Sequence, residues 1–227
     1  KKFKMMKNFI IFGYGGHAKV IVDCIRLIKN YRVLGFISNK KYDLSFAKKI
    51  KYLGEIKNLN EIIKKKKLKN IVGIIAIGDN VKRKQVCLEV NKINKQFKWE
   101  NVIHPAAVIS PSAVIGSGNM ILAGSIICAE TKIENHVSIN TGSYIDHNNK
   151  FFNFSSTGPG VATGGNVEVG EQSFLGIGVA VKHNVSIGKN TIIGGQAFVN
   201  KNCKSNSIYY GVPAKRIKKK LLSKSYL

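Results

Sequence analysis

From Ile109 to Val199 every sixth residue falls in one phase: Ile109, Ile115, Ile121, Ile127, Ile133, Ile139, Ile145, Phe151, Thr157, Thr163, Val169, Leu175, Val181, Ile187, Ile193 and Val199. All but the two threonines are large and apolar, and the phase never slips. Two positions earlier the residue is usually small or β-branched, as at Ala113, Ser125, Thr131, Ser143, Ser173, Thr191 and Ala197. Glycine often follows the aliphatic, as at Gly116, Gly170, Gly188 and Gly194. A six-residue period means a short strand and a turn, and three of these close a triangular coil. The aliphatic of each hexad points inward and stacks on its equivalents in neighbouring coils. The repeat therefore predicts a β-solenoid of a little over five coils, with its hand left open by the period.

The first hundred residues follow a different pattern. "FIIFG" (9–13), "RVLGFIS" (32–38) and "NIVGIIAIG" (70–78) read as buried strands. "AKVIVDCIRLIKN" (18–30), "NLNEIIKKKK" and "VKRKQVCLEVNKINK" (81–95) have helical periodicity. "WENVI" (99–103) reads as a last strand of this half. Such alternation implies a small parallel sheet covered by helices. The expected units are 1–103 and 104–227, with "GVPAK" a turn and the basic end of the chain a helix-prone cap on the open solenoid.

The formal charge of +25 draws attention to anionic partners. The lysines are scattered, however, and carry no nucleic-acid recognition motif, so a solvated surface is the expectation. Cys24, Cys87, Cys128 and Cys203 lie far apart, which fits reduced cytoplasmic thiols and neither a zinc site nor a disulfide framework. The apolar run near the start is short and breaks at glycines, and none approaches the length of a membrane span. A protein of the cytoplasm, without membrane insertion, is expected.

Two places can hold chemistry. "GYGGHA" (13–18) joins the first strand to the first helix, where Gly13 and Gly15 let backbone approach a phosphate and the helix start offers N–H groups. The acidic residue that an NAD site wants after the second strand is replaced by Ser38-Asn39-Lys40, so a nucleotide-bearing ligand is favoured over a redox cofactor. The second place is "SYIDHNNKFFNFSSTGPGVATGG" (143–165), the one irregular passage of the repeat. Its glycines leave room for a slender ligand along the coils, and His147 beside it suits general-base work. His147 and His183 are two coils apart, about 10 Å at roughly 4.8 Å per coil, and His136 falls on another side. Bonds of about 2.1 Å to one metal ion are out of reach for that set within one chain, so no metal is expected.

Taken in order, "FGYGGHAKV", "IAIGDN", "IHPAAVISPSA", "YIDH", "IIGGQAFV" and "GVPAKRI" resemble the bacterial nucleotide-sugar N-acetyltransferases of the PglD/NeuD-like family over nearly the whole chain. The resemblance implies a Rossmann-like nucleotide-sugar domain followed by a left-handed parallel β-helix that binds acetyl-CoA as co-substrate. It implies a homotrimer with the active site between neighbouring subunits. Carried over by position, His147 is the general base, and Gly165 places a backbone N–H for the oxyanion. Ile177 and Gly195 line the acetyl-CoA site, with Lys215 and Arg216 toward CoA phosphates. Gly13, Gly15, Gly16, His17, Gly78 and Asn80 line the nucleotide-sugar pocket, with Ser38 and Asn39 at the base.

This chain departs from the family at three points, one of them Ser156 in place of a histidine that contacts the cofactor in some members. Asn148 stands where relatives often carry an acid beside the catalytic histidine, and Ser38-Asn39 stand where relatives carry base-contacting acids. The nucleotide is therefore open between UDP, dTDP and GDP. The implied reaction is acetylation of an amino-dideoxy sugar at its 4-amino group. The alternative is O-acetylation of a sialic-acid-type sugar on the same scaffold.

Overall fold

The computed structural model describes residues 5–39, 50–66 and 69–220. In the first half β1 (Lys7–Phe12), β2 (Tyr31–Ile37), β3 (Tyr52–Gly54) and β4 (Ile71–Ile75) form one parallel sheet in the order β3-β2-β1-β4. Both faces are covered, which is why β1 is an unbroken apolar run, Phe9 to Phe12, with no alternation. Helix α1 (Gly16–Arg26) buries Ala18, Ile21, Val22 and Ile25 on one face. Helices α2 (Leu59–Lys66) and α3 (Asn80–Ile93) close the other through Leu59, Ile62, Cys87 and Val90. The chain runs outward from β1 to β3 and returns to β4 on the other side of β1. The order reverses at the carboxyl ends of β1 and β4, the usual position of a ligand crevice.

From β5 (Val102–Ile103) to β21 (Phe198–Val199) the chain makes strands of two residues each, paired in parallel with those eighteen residues away. They stack into three faces of a left-handed parallel β-helix. The first face holds the strands from Val102–Ile103 through Ile192–Ile193. The second holds Val108–Ile109 through Phe198–Val199, and the third Val114–Ile115 through Ser186–Ile187. The sixfold aliphatic series forms a continuous core from Ile121 to Val199. Each side chain removed from water there contributes about 1.5–3 kcal/mol. Thr157 and Thr163 also point inward, and each hydroxyl accepts from a main-chain N–H, of Asn140 (2.8 Å) and Asp146 (3.3 Å).

From Gly118 to Gln196 each corner has one residue of positive φ, three positions after the inward residue. Glycine fills it at Gly118, Gly124, Gly142, Gly160 and Gly178, asparagine at Asn148, Asn166, Asn184 and Asn190, and Glu130, His136, Phe154, Gln172 and Gln196 the rest. Asparagine tolerates this conformation better than most side chains.

Segment 99–103 proves to be a crossing between the two units. Trp99 bridges to Gly73 of the first sheet, whereas Val102–Ile103 pair with Met120–Ile121 as the first rung of the solenoid. The outward side chains Val102, Met120 and Leu122 join the core beneath α1, so the first half sits on the solenoid's first face.

The basic end departs from the helix-prone expectation. β22 (Ser207–Tyr210) continues the first face beside Ile192–Ile193, and β23 (Lys215–Lys219) returns antiparallel on it. The terminal coil presents unpaired N–H and C=O groups, and pairing them outweighs local helix propensity. Residues 221–227 of the expected cap lie outside the described residues. Among the described residues no helix is long and apolar enough to cross a membrane.

Candidate functional site

His147 occupies the corner between the second and third faces, exposed to solvent. Its turn is secured from three sides. The Asp146 carboxylate accepts the main-chain N–H of His147 (2.8 Å), which commits that acid to the turn and away from the ring. The buried Asn149 amide donates to the carbonyls of Asp146 (2.8 Å), His147 (3.2 Å) and Gly164 (2.9 Å), tying this corner to the next coil. The Thr131 hydroxyl donates to the Asp146 carbonyl (2.8 Å).

The ring itself is oriented by Asn148, whose Oδ1 lies 2.8 Å from His147 Nδ1. An amide oxygen only accepts, so Nδ1 carries the hydrogen and Nε2 keeps a lone pair. Gly165 lies one coil further, against the ring. Among the described residues nothing accepts a hydrogen bond from the Gly165 N–H. His183 lies one coil beyond Gly165, also exposed. His136 is elsewhere, buried between the two units, with Nε2 3.3 Å from Cys87 Sγ and its ring stacked on Phe154. Among the described residues no group of three or more His, Cys, Asp or Glu could hold a metal ion.

Ile177 and Gly195 stand on a different corner, between the first and second faces. They stack on each other there, with Gln196 N–H donating to the Ile177 carbonyl (2.8 Å). Ile177 is 61% exposed, unusual for an isoleucine in so regular a solenoid. Tyr210 lies over the adjacent Gly194 and pairs with Lys215, which brings the basic strand to this same corner. Arg216, the next strand residue, faces the opposite way and donates from Nε to the Ser207 hydroxyl (2.8 Å).

The crevice expected at the carboxyl ends of β1 and β4 would lie between two loops. Gly13 has φ +119° and packs so closely on the Ala76 carbonyl that a side chain there would meet it at 2.9 Å. Gly15 and Gly16 have open space where a Cβ would stand, so no internal contact accounts for them. His17 follows in the first turn of α1. Its Nε2 is buried without a partner, and burial, with the nearby Arg83 cation, pushes its pKa down to about 4.

Ser38 is buried at the end of β2, where its carbonyl accepts from the Tyr52 hydroxyl (3.2 Å). Asn39 is exposed. Its Oδ1 accepts the Ile56 N–H (2.9 Å), and its Nδ2 donates to Glu89 Oε1 on α3 (2.8 Å). Glu89 thereby brings a carboxylate to the end of β2 that is absent from the adjacent sequence.

Gly78 lines the second loop. Asn80 does not line the crevice as expected, because its side chain turns the other way and is fully buried against the solenoid. There it donates to the carbonyls of Ser173 (3.0 Å) and Gln172 (3.3 Å), and accepts from Ser156 Oγ (2.7 Å) and Arg83 Nη2 (2.7 Å). The docking of α3 on the first face decides this, and no local pattern announces it. Arg83 went unnoticed for the same reason: in the sequence it is one basic residue among 37.

Residues 8–90 match the PglD N-terminal domain family, and residues 166–201 match the bacterial transferase hexapeptide family. The chain is 32% identical over 105 residues to a UDP-N-acetylbacillosamine N-acetyltransferase of Bacillus subtilis (strain 168). That match spans 46% of this chain and only 46% of the relative. Its fold aligns with PerB of Caulobacter crescentus, solved with CoA and GDP-perosamine, at a TM-score of 0.84 and 32% identity, covering 93% of this chain and 97% of that one. It also aligns with the acetyltransferase domain of PglB from Neisseria gonorrhoeae FA1090, solved with acetyl coenzyme A. There the TM-score is 0.82 and the identity 25%, over 93% and 100% of the two chains. The parallel sheet of the first unit, the solenoid with its histidine corner, and similarity over 93% of the chain to the two solved acetyltransferases agree: the chain belongs to the PglD-like family of nucleotide-sugar N-acetyltransferases.

Proposed function

We propose that the protein transfers the acetyl group of acetyl-CoA to the 4-amino group of a nucleotide-linked amino-dideoxy sugar, with His147 as general base. The observation that carries this reading is the Asn148-oriented imidazole with its Nε2 lone pair available. The neutral amine nitrogen attacks the thioester carbonyl. As the C–N bond forms, Nε2 takes the proton that the amine loses, and the thioester oxygen becomes an oxyanion. The Gly165 N–H, without an acceptor of its own, suits that oxyanion. Collapse breaks the C–S bond, and the imidazolium returns its proton to the departing thiolate of CoA.

The reading requires more than one copy of the chain. In a triangular solenoid the corner carrying His147 lies opposite the first face, on which this chain's own nucleotide-type domain sits. Ile177 and Gly195 stand at the far end of the second face from His147. A crevice from one copy and a base from another complete one site, in a homotrimer. The exposed Val108, Tyr144 and Phe198 along the second face suit such packing.

The test is release of free thiol from acetyl-CoA against UDP-, dTDP- and GDP-linked 3-amino and 4-amino sugars, with sialic acid included. One amino sugar is expected to exceed the rest by orders of magnitude. His147→Ala is expected to lose roughly 10²–10⁴-fold in turnover with the oligomer intact. Unchanged turnover removes His147 from the role of base, and turnover on sialic acid alone replaces the N-acetyl reading with the O-acetyl one.

A further inference from the structure

We propose that Arg83 is a positioning residue for the nucleotide-sugar crevice, fixing its second loop to the solenoid while setting a buried positive charge beneath it. The inference rests on the reading of that crevice given above.

Arg83 is fully buried, and all five of its N–H donors are used. On the crevice side Nη1 donates to the carbonyls of Ile77 (2.9 Å) and Gly78 (3.0 Å), the loop that follows β4. On the solenoid side Nε donates to the His136 carbonyl (2.9 Å), and Nη2 to those of Phe154 (3.0 Å) and Ser155 (3.3 Å). His136 and Phe154 are equivalent residues of successive coils, eighteen apart. Asn80, bonded to Arg83 Nη2, extends the same contact to Gln172 and Ser173 of the third coil.

One planar fork therefore holds the crevice loop against the coils that carry His147 and Gly165 on another corner. The charge also reaches into the crevice, because Arg83 helps to keep His17 neutral. A mobile joint here would let the sugar's amine wander relative to the neighbouring copy's base, and a misplacement of about 1 Å costs on the order of a hundredfold in rate. Lysine retains the charge but offers one donor atom, which cannot span both sets of carbonyls.

The experiment is steady-state kinetics of the full-length chain and its Arg83→Lys and Arg83→Met variants, on the amino-sugar nucleotide that the wild type prefers. Both variants are expected to lower kcat by about a hundredfold, as the amine loses its place, and to raise KM for the nucleotide sugar roughly tenfold, as the crevice loop loses its anchor. KM for acetyl-CoA should stay within about twofold, since that set of residues lies on a corner Arg83 does not touch. Unchanged KM values overturn the inference, as does a parallel rise of both, which marks general loosening. Should neither Arg83 variant fold, Ser156→Ala removes one hydroxyl from the same joint and leaves every charge in place. A rise confined to the sugar KM supports the inference there, and no change overturns it. Wild-type protein inactive on every amino-sugar nucleotide would overturn the proposed function and this inference with it. Activity in the wild type with unaltered variants overturns the inference alone.

Discussion

The imidazole of His147 occupies the space that a side chain on residue 165 would need. A Cβ on Gly165 would lie 2.4 Å from Cε1 and 2.6 Å from Nε2 of that ring. No positive φ calls for glycine at this position, so the reason is the space itself. Gly165→Ala is therefore expected to displace the ring and lower kcat by roughly a hundredfold. Thermal unfolding should change little, since the ring that must give way belongs to the solvent-exposed His147. Retained kcat would separate the glycine from the histidine's placement.

Asn148 accepts from Nδ1 but brings no negative charge to stabilise an imidazolium. Asn148→Asp keeps a residue tolerant of positive φ and adds that charge. Turnover is expected to rise several-fold, as a carboxylate stabilises the imidazolium that forms in the transition state. Turnover identical to the wild type would show that charge beside the ring does not govern the proton transfer.

The interface between the two units should be acid-sensitive. His136 is pushed to a pKa of about 4, first by burial and then by Arg83, and His17 likewise. Unfolded, both take up a proton near 6.5. Their contribution to stability is complete above about pH 6.5 and is lost as the pH falls from there toward about 4. For His136 it amounts to roughly 3 kcal/mol. Urea unfolding at pH 7.0, 5.5 and 4.5 reads this directly. His136→Asn, compatible with the positive φ of that residue, should flatten the slope.

Glu89 and Asn39 are expected to set the preference for the base. The carboxylate offers two acceptors and the Asn39 amide a donor, next to the loop expected to hold the phosphates. Guanine offers the complementary order, two N–H groups and a carbonyl, whereas uracil and thymine place one N–H between two carbonyls. A GDP-linked amino sugar is expected to give the highest kcat/KM, and Glu89→Gln to reduce its lead over the UDP sugar by roughly tenfold or more. An equal loss on every nucleotide would remove Glu89 from base selection.

Much of the protein was determined by its sequence alone. The phase from Ile109 to Val199 dictates the solenoid, since only a coil of three hexads buries those aliphatics together. The alternation of strands and helices dictates the first unit, and "GYGGHA" and "YIDH" mark the two loops proposed for the chemistry, because strand period and turn chemistry are properties of neighbouring residues. Tertiary structure decided the rest. It turned Asn80 from the crevice into the joint, made Arg83 its fork, carried Glu89 to Asn39 across fifty residues, gave Gly165 its reason, and drew the basic end into a strand. Each of these depends on which face of the solenoid the first unit covers and which coil lies against which. Such contacts join residues far apart in the chain and leave no period behind.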